Sequence, residues 1–249
     1  MGNYQFSFNL EKRIIMKITE LFKSIEGEGI RTGKVCTFIR SFGCPCRCVY
    51  CDSMYSNEVT EGIKVKDMTV SEIVQYCSDQ KTPYVTFTGG EPLIQPEAME
   101  LIQELLNNGF EVNIETSGAV DISPFKKKLL TNFSAYPHDK LIFTIDYKSL
   151  SSGANAMMIP TNFTRNLSYR DVVKFVVGTK EDLDDMKKWV HKIKLSYDLD
   201  NIPHIFVSPI FGMIDPKDIV EYLKDNDLFD VRMQLQVHKY IWDKNMKGV

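Results

Sequence analysis

Three observations in the sequence predict one large α/β domain with a barrel-like parallel sheet. The chain has 249 residues, which is enough for a single unit with a sizeable core. Short β-rich runs alternate with amphipathic helical patterns along most of it. Most of these runs end in Gly, Ser, Thr or charged residues. Parallel βα repeats bring such ends to one face, where barrel enzymes keep their active sites.

The composition excludes several other classes of protein. Hydrophobic residues make up 43% and charged residues 25%, which is ordinary for a soluble globular domain. The net charge of -3 and the dispersed basic residues argue against nucleic acid as the main partner. The apolar runs are too short to span a membrane. Cys36 and Cys77 lie in apolar contexts typical of buried thiols, so we expect a reducing compartment, the cytoplasm.

The elements follow one another in a regular order. Residues 1–15 precede a second methionine, Met16, and we treat them as an extension or an upstream start, leaving 16–249 as the domain. Strands are predicted at 16–22, 35–42, 84–88, 110–115, 141–145, 172–177, 204–207 and 231–237. Helices are predicted from 70 to about 77, from 96 to 109, after 179 and from 216 to 224. The first helix opens with a capping box, Thr69 to Glu72. The third carries Leu183, Met186, Val190 and Ile193 on one face.

Residues 149–170 form a long connection that is rich in Ser, Asn and Thr. This composition fits either a lid over a site or a mobile loop.

The rest of the chain is organised around a cysteine loop with the sequence CPCRCVYCDS at 44–53. Cys44, Cys48 and Cys51 have a C-x3-C-x2-C spacing, and three thiolates on one loop can hold a [4Fe-4S] cluster with its fourth iron open. A structural zinc site normally has four ligands, and no second Cys/His pair follows. A disulfide would require a secreted domain, and no signal peptide is present. Cys46 offers a competing C-x-C-x2-C set.

Two further patterns surround this loop. The sequence SIEGEG at 24–29 has glycines that permit close approach of a ligand, and the carboxylates of Glu26 and Glu28 can point the same way. A solvated turn is the alternative. Arg40 precedes the cysteine loop, where it is either a surface charge or a bidentate clamp for a carboxylate.

The motifs together resemble the radical SAM (S-adenosylmethionine) superfamily. Tyr50 completes a C-x3-C-x-aromatic-C loop, and GGEP follows at 89–92. Beyond the superfamily, the chain from 16 to 249 is similar to the 7-carboxy-7-deazaguanine synthase family. That resemblance is carried by SIEGEG at 24–29, FIR at 38–40, CDS at 51–53, TGGEP at 88–92, ETSG at 115–118 and QLQVHK at 234–239.

The resemblance implies a fold and a set of partners. The fold is an incomplete (β/α)6-type partial TIM barrel, present as a homodimer. The cofactors are a [4Fe-4S] cluster, S-adenosyl-L-methionine and Mg2+, and a low-potential reductant such as flavodoxin supplies the electron. The activity is that of a lyase in queuosine or 7-deazapurine biosynthesis. It converts 6-carboxy-5,6,7,8-tetrahydropterin to 7-carboxy-7-deazaguanine with loss of ammonia.

The resemblance also implies residue roles. The cluster ligands are Cys44, Cys48 and Cys51; Cys46 is a spare thiol because only the 3-2 spacing matches the superfamily. Ser53 supplies an oxygen to Mg2+. The implied substrate-binding residues are Ile25, Glu26, Gly27, Glu28, Arg40, Thr88 and His238, of which Glu28, Arg40 and His238 are catalytic. The implied SAM-binding residues are Tyr50, Cys51, Asp52, Gly89, Gly90, Glu91, Ser117, Asp146 and Lys148.

Two departures and two alternatives accompany this resemblance. Many family members have Gln at the position of Glu26 and Thr at that of Ser53, and both differences keep an oxygen ligand. One alternative is a radical SAM enzyme that activates a glycyl radical on a partner protein. The other is a non-catalytic iron–sulfur or zinc module, for which the GGEP motif and the acidic loop would have no use.

Overall fold

The computed structural model describes residues 15–58, 63–132, 138–243 and 246–249, so most of the predicted N-terminal extension lies outside the described residues. The strands are β1 (Met16–Ile25), β2 (Val35–Ser41), β3 (Lys66–Met68), β4 (Tyr84–Gly89), β5 (Glu111–Thr116), β6 (Leu141–Lys148), β7 (Val172–Val177), β8 (His204–Pro209) and β9 (Val231–Met233). The helices are α1 (Val70–Asp79), α2 (Ala98–Asn107), α3 (Ser123–Asn132), α4 (Pro160–Thr164), α5 (Lys180–Lys194), α6 (Pro216–Asp225) and α7 (His238–Ile241).

All the described strands belong to one sheet, in the order β3-β1-β2-β4-β5-β6-β7-β8-β9. β2 and the strands from β4 to β9 are parallel, whereas β1 runs antiparallel to β2 and β3 antiparallel to β1. The sheet stays open, with β3 and β9 at its edges. The predicted α/β partial barrel is therefore confirmed, with the unpredicted short strand β3 at one edge. That 16–249 forms a single domain stays a prediction.

Alternation along the strands separates the core from the site. Phe87, Phe143 and Phe175 are fully buried in the apolar core, where they pack with side chains of the helices. The intervening positions carry polar side chains such as Thr86 and Thr144. Because successive side chains in a strand point to opposite faces, one face meets the helices and the other holds polar groups.

The helices follow the sequence signals closely. Thr69 accepts a hydrogen bond from the backbone N–H of Glu72, and the Glu72 carboxylate accepts one from Thr69 N at 2.8 Å, so both arms of the predicted capping box form. The predicted apolar face of α5, from Leu183 to Ile193, is buried. Gly109, the predicted end of α2, adopts a φ of 85° just after the helix.

Several predicted boundaries were wrong. α2 begins at Ala98, two residues later than predicted, because Pro92–Ile94 forms a 3-10 turn whose cap residue, Gln95, accepts the N–H of Ala98. β6 runs three residues further than predicted, to Lys148. The predicted strand at 231–237 ends at Met233, and the chain then turns into α7. β3 and α3 were not predicted, since neither has a strong periodic pattern.

The connection at 149–170 is built from short helical turns packed against the sheet. Asn155 Nδ2 donates to the hydroxyl of Tyr147 at 2.9 Å. Asn162, which is fully buried, donates to the carbonyls of Gly118 and Val120 at 3.0 and 2.7 Å. The polar residues that suggested a lid or a mobile loop therefore anchor this segment. In the described chain, no helix combines the length and apolar character needed to cross a membrane.

Candidate active site

A cavity of about 700 Å3 opens at the carboxyl ends of the parallel strands. Its wall is formed by the acidic loop after β1, the cysteine loop after β2, the ends of β4 to β8 and the C-terminal residues. Every predicted site residue lines this cavity except Glu91. The topology brings these loops together because parallel strands end at the same edge of the sheet.

The four thiols of the cysteine loop pack as one group. Cys46 and Cys48 are buried, Cys44 and Cys51 are half-buried, and Ala154 and Ala119 cover them. Hydrogen bonds from Cys44, which has the larger effect, and from Cys48 lower the pKa of the Cys46 thiol well below its usual range. The structure thus brings the thiol of Cys46 into contact with two of the predicted ligands, which the sequence did not indicate. That Cys46 is not a ligand stays a prediction.

The glycines of the GGEP motif allow this loop to pack against the cysteine loop. A Cβ on Gly89, whose φ is 140°, would lie 2.3 Å from the carbonyl oxygen of Ser41. A Cβ on Gly90 would lie 2.2 Å from the carbonyl oxygen of Gly43. Any side chain at either position would therefore displace backbone, and the two glycines leave their own backbone at the cavity wall.

Glu91 lies behind the cavity wall, and its predicted contact with SAM stays a prediction. It is fully buried and accepts hydrogen bonds from the N–H of Ser117 at 2.7 Å, the Ser117 hydroxyl at 2.5 Å and the Thr116 hydroxyl at 2.8 Å. Burial raises the pKa of Glu91, and these bonds oppose that shift. Because its oxygens are satisfied by β5 and the turn after it, Glu91 ties neighbouring loops together behind the wall.

Glu26 of the acidic loop is buried rather than solvated. Its Oε2 accepts hydrogen bonds from Arg31 Nη2 at 2.9 Å and from the Thr86 hydroxyl at 2.6 Å. Burial and the nearby Glu115 raise the pKa of Glu26 to about 7, while Arg31 lowers it. The alternative of a solvated turn is therefore wrong.

Glu28 belongs to a chain of alternating charges across the cavity floor. Lys174 Nζ lies 2.7 Å from Glu28 Oε2 and 3.7 Å from Asp146 Oδ2, and Lys148 Nζ lies 2.8 Å from the same Asp146 oxygen. Burial opposes ionisation of Asp146, but Lys148 and Lys174 outweigh it and lower the pKa. Burial opposes ionisation of Lys174 as well, but the carboxylates of Asp146 and Glu28 outweigh it and raise the pKa of Lys174 well above its usual value.

Arg40 is oriented by a neighbour that the sequence did not reveal. Its Nε donates to Glu20 Oε2 at 2.9 Å, and the hydroxyl of Tyr55 donates to the same oxygen at 2.8 Å. The guanidinium carbon lies 5.8 Å from the ring centroid of Phe22 and 5.9 Å from that of Tyr55. Since Glu20 occupies Nε, the two terminal nitrogens remain available as a fork for a carboxylate.

The C-terminal part of the chain closes the cavity beside the acidic loop. A Cβ on Gly27 would lie only 2.1 Å from His238 Nδ1, so the imidazole occupies the space that a side chain there would need. Burial lowers the pKa of His238. The next residue, Lys239, pairs with Asp52 of the cysteine loop at 2.9 Å. These contacts join both predicted substrate and cofactor loops to the last helix.

Sequence reasoning missed several residues of the site. Lys174, Glu115, Arg31 and Glu20 all contact predicted site residues; Glu115, for example, accepts from the Thr88 hydroxyl at 2.9 Å. A signal for one of them was present, since Lys174 interrupts the apolar run VVKFVV. The others carry no pattern that separates them from ordinary surface charges.

The donor groups on the wall fit an iron–sulfur cluster and SAM. The packed thiols of the cysteine loop are soft sulfur donors of the kind that an iron–sulfur cluster needs. Glu28 Oε1 and Asp146 Oδ1 are buried and have no hydrogen-bond partner in the part of the chain that the structure describes, so each can accept from amine or hydroxyl donors of bound molecules. Among the described residues, no three His, Cys, Asp or Glu side chains form a site for a single ion. A cation bound at Ser53 would therefore need most of its oxygen ligands from a bound small molecule and from water.

Comparison with known proteins identifies the class. The profile of the Radical SAM superfamily matches residues 38–147. The fold resembles the crystal structure of QueE from Escherichia coli, with a TM-score of 0.66 at 22% identity over 93% of this chain and 99% of that one. It also resembles Streptococcus suis SuiB bound to S-adenosylmethionine, with a TM-score of 0.51 at 13% identity, covering 78% of this chain and 45% of that one. The chain is a radical SAM enzyme and, as in that superfamily, uses a [4Fe-4S] cluster and SAM.

The closer relatives identify the particular family. The 7-carboxy-7-deazaguanine synthase of Clostridium acetobutylicum is 40% identical over 234 residues, which cover 94% of this chain and 99% of the relative. The enzyme of the same name from Methanospirillum hungatei is 39% identical over 227 residues, or 91% of this chain and 85% of the relative. The chain belongs to the 7-carboxy-7-deazaguanine synthase family. These relatives do not support the glycyl-radical or the non-catalytic alternative.

Proposed function

We propose that this protein converts 6-carboxy-5,6,7,8-tetrahydropterin into 7-carboxy-7-deazaguanine and ammonia, a step of queuosine or other 7-deazapurine biosynthesis. Product plus ammonia accounts for every atom of the substrate, so the reaction needs no net oxidant. Family membership supports the proposal. The observation that carries it is that one cavity holds both acidic side chains and an arginine. Glu26 and Glu28 suit the N–H donors of the substrate ring, and Arg40 suits its carboxylate.

Each end of the substrate meets its complement in this arrangement. The aminopyrimidinone ring presents N–H donors, which Glu26 and the unpartnered Oε1 of Glu28 accept. The substrate carboxylate receives the terminal nitrogens of Arg40, held in place by Glu20. Thr88 adds a hydroxyl beside the ring. His238, kept neutral by burial, closes the wall over the substrate.

The cofactors bind along the opposite wall. Cys44, Cys48 and Cys51 hold the cluster, and SAM lies against Gly89 and Gly90. The remaining SAM-binding residues are Tyr50, Asp52, Ser117, Asp146 and Lys148. When bound, the cluster and SAM would supply the radical chemistry that abstracts hydrogen at C6 of the substrate. The side chains around it fix the substrate in reach and exclude water.

Mg2+, a reductant and a second subunit complete the proposal. Ser53 provides one oxygen to Mg2+, and the substrate carboxylate and water provide the others, because Mg2+ usually keeps waters and substrate oxygens among its ligands. A low-potential protein such as flavodoxin delivers the electron, since cluster potentials reach roughly -700 mV. The active form is a homodimer, as the family resemblance implies.

One anaerobic assay tests this function. The protein is reconstituted with iron and sulfide and given SAM, Mg2+, dithionite and the carboxytetrahydropterin, and the products are identified by mass. We expect 7-carboxy-7-deazaguanine and ammonia in equal amounts. The Cys44→Ala variant serves as the control without an intact cluster. If the reconstituted protein forms 5'-deoxyadenosine but leaves the pterin unchanged, the proposed substrate is wrong while the superfamily chemistry stands.

A further inference from the structure

Arg31 is a buried cation that none of the roles described above uses. It is 3% exposed and lies in the turn that follows the acidic loop. Its Nη1 donates to the carbonyl of Glu111 at 3.0 Å, and its Nη2 donates to the carbonyl of Val85 at 3.2 Å and to the Thr86 hydroxyl at 2.6 Å. These contacts fix the guanidinium against the starts of β4 and β5. A buried cation needs anionic partners: Glu26 Oε2 lies 2.9 Å from Nη2, and Glu111 Oε1 lies 3.7 Å from Nη1.

The contacts between Arg31 and Glu26 are one-sided. Arg31, the Thr86 hydroxyl and the Cys36 thiol all donate to the same carboxylate oxygen of Glu26, Oε2, at 2.9, 2.6 and 3.8 Å. These bonds determine how the carboxylate is turned. The side chain also lines the cavity, so the second oxygen, Oε1, is the one left for a ligand.

We propose that Arg31 is a positioning residue that sets substrate specificity: it turns Glu26 and favours its ionised form, so that Oε1 accepts an N–H of the aminopyrimidinone ring. An ionised carboxylate accepts hydrogen bonds only, whereas a protonated one also donates. The Glu26–Arg31 pair therefore selects a ring edge that presents donors. The inference rests on the proposed function and assigns part of its substrate recognition to a residue outside the cavity wall.

The electrostatic surroundings of Glu26 support this role. The ionisable groups that face it are Arg31 from its own loop, Cys36 from β2 and Glu115 from β5. Burial and Glu115 favour the protonated acid, and Arg31 is the cation that opposes them. Burial raises the pKa of the Cys36 thiol, so it remains neutral and contributes no charge. Removal of the Arg31 charge would raise the pKa of Glu26 further and so favour the protonated acid at neutral pH.

Two substitutions separate charge from shape. Arg31→Gln removes the charge but keeps a hydrogen-bond donor, whereas Arg31→Lys keeps the charge and loses the fork. At pH 7 we expect Arg31→Gln to raise the KM for the carboxytetrahydropterin about tenfold, the effect of one charge-assisted hydrogen bond. The increase should shrink toward pH 9, where Glu26 ionises again. In Arg31→Lys any increase in KM should not vary with pH, and SAM cleavage without substrate should be unchanged in both variants.

A substrate analogue provides a measurement that would not change if Arg31 only stabilised the fold. The 2-oxo analogue of the carboxytetrahydropterin replaces the amino donor with an acceptor, which an ionised Glu26 disfavours. We expect the native protein to prefer the amino compound strongly, and Arg31→Gln to reduce that preference at least tenfold, because a protonated Glu26 can donate to the oxo group. Arg31→Lys should retain the preference.

The outcomes are distinguishable. If the native protein does not convert the pterin at all, the proposed function fails. If it does, and Arg31→Gln keeps both the native KM with its pH dependence and the native preference for the amino compound, the role of Arg31 is overturned. Should Arg31→Gln not fold, the double variant Glu26→Gln/Arg31→Gln removes both buried charges. We expect it to have a raised KM that is flat between pH 6 and 9, and a native pH dependence in that variant would equally overturn the inference.

Discussion

At the scale of single residues, the site depends on side chains whose second contacts fix their direction. Arg40 is the clearest case, because Glu20 engages its Nε and two aromatic rings flank its guanidinium. Such support reduces the conformational freedom that a long side chain loses on binding. It also makes the geometry of the group, and not only its charge, part of recognition.

Arg40→Lys therefore tests geometry against charge. Lysine keeps the cation but loses the bidentate fork, so we expect kcat/KM for the carboxytetrahydropterin to fall roughly ten- to a hundredfold, equivalent to about 1.5–3 kcal/mol. The measurement is formation of 7-carboxy-7-deazaguanine beside that of 5'-deoxyadenosine. Formation of 5'-deoxyadenosine without substrate should survive. Full activity in Arg40→Lys would remove the fork from the mechanism.

The four thiols permit a direct test of ligand assignment. We expect Cys44→Ala, Cys48→Ala and Cys51→Ala each to lose most bound iron after anaerobic reconstitution, whereas Cys46→Ala retains it, because only the first three have the 3-2 spacing. Iron content and the absorption spectrum of the cluster are the measurements. The contact of Cys46 with Cys44 and Cys48 makes the opposite result informative. Loss of the cluster in Cys46→Ala with retention in Cys44→Ala would reassign the ligands.

Ser53 offers a similar test for the cation. Its hydroxyl lies 3.9 Å from the thiol of Cys51, next to the proposed cluster and substrate. Ser53→Ala removes the oxygen, so we expect activation by Mg2+ to weaken while SAM binding stays near the native level. Ser53→Thr, which restores the hydroxyl, is the matched control. An unchanged response to Mg2+ in Ser53→Ala would exclude this residue from the metal site.

At the scale of elements, helices and strands with a strong periodic pattern were predictable, whereas the extents of the strands at the edges of the sheet were not. The β7 boundaries, the start of α5 and the capping box of α1 follow from local pattern alone. β3 is a three-residue strand that exists only because β1 offers it an edge. The predicted strand at 231–237 contained apolar residues throughout, yet β8 pairs with only its first three. Such limits are set by tertiary pairing, which a local window does not contain.

The same reasoning separates predictable from unpredictable parts of the site. Motif glycines, cysteines and loop carboxylates were found because their local spacing is unusual. Arg31, Glu20 and Glu115 were not, because what distinguishes them is a partner distant in sequence. Glu91 shows the converse, since its motif was recognised but its oxygens are used within the protein.

Asn162 tests how firmly the segment at 149–170 is anchored. Its amide donates to two backbone carbonyls, and its oxygen accepts the N–H of Ile122 at 3.2 Å. Asn162→Ala leaves these buried groups unpaired, so we expect a loss of about 2–3 kcal/mol in the free energy of unfolding, measured with urea. The matched control on the same helix is the exposed Thr161→Ala, which should change the free energy of unfolding by less than about 0.5 kcal/mol. Equal effects would show that the buried amide is not the anchor.

At the scale of the whole molecule, the buried acid links stability to pH. The pKa of Glu26 is raised from 4.5 to about 7 in the folded protein, so between these values the folded state holds a proton that the unfolded state has released. This contribution to stability is complete below about pH 4.5 and is lost as pH rises through 7. The shift corresponds to about 3 kcal/mol.

Comparison with Glu26→Gln isolates this effect, because glutamine does not titrate and the other acids are common to both proteins. We expect the unfolding free energy of the native protein to fall relative to that of Glu26→Gln as pH rises from 4.5 to 7. Unpaired Arg31 lowers the stability of the variant by an amount that does not depend on pH, so the slope is the quantity to measure. A constant difference between the two proteins would contradict the raised pKa.

The contact between Gly27 and the C-terminal helix has a consequence for the order in which the protein matures. Val237 N donates to the carbonyl of Gly27 at 3.2 Å, and His238 fills the space beside that glycine. A ribosome adds roughly 5–20 residues per second, so the acidic loop leaves the exit tunnel many seconds before its closing partners. The proposed substrate pocket is thus the last part of the molecule to be completed. A nascent chain halted anywhere before residue 237 holds the cysteine loop without a closed cavity beside it.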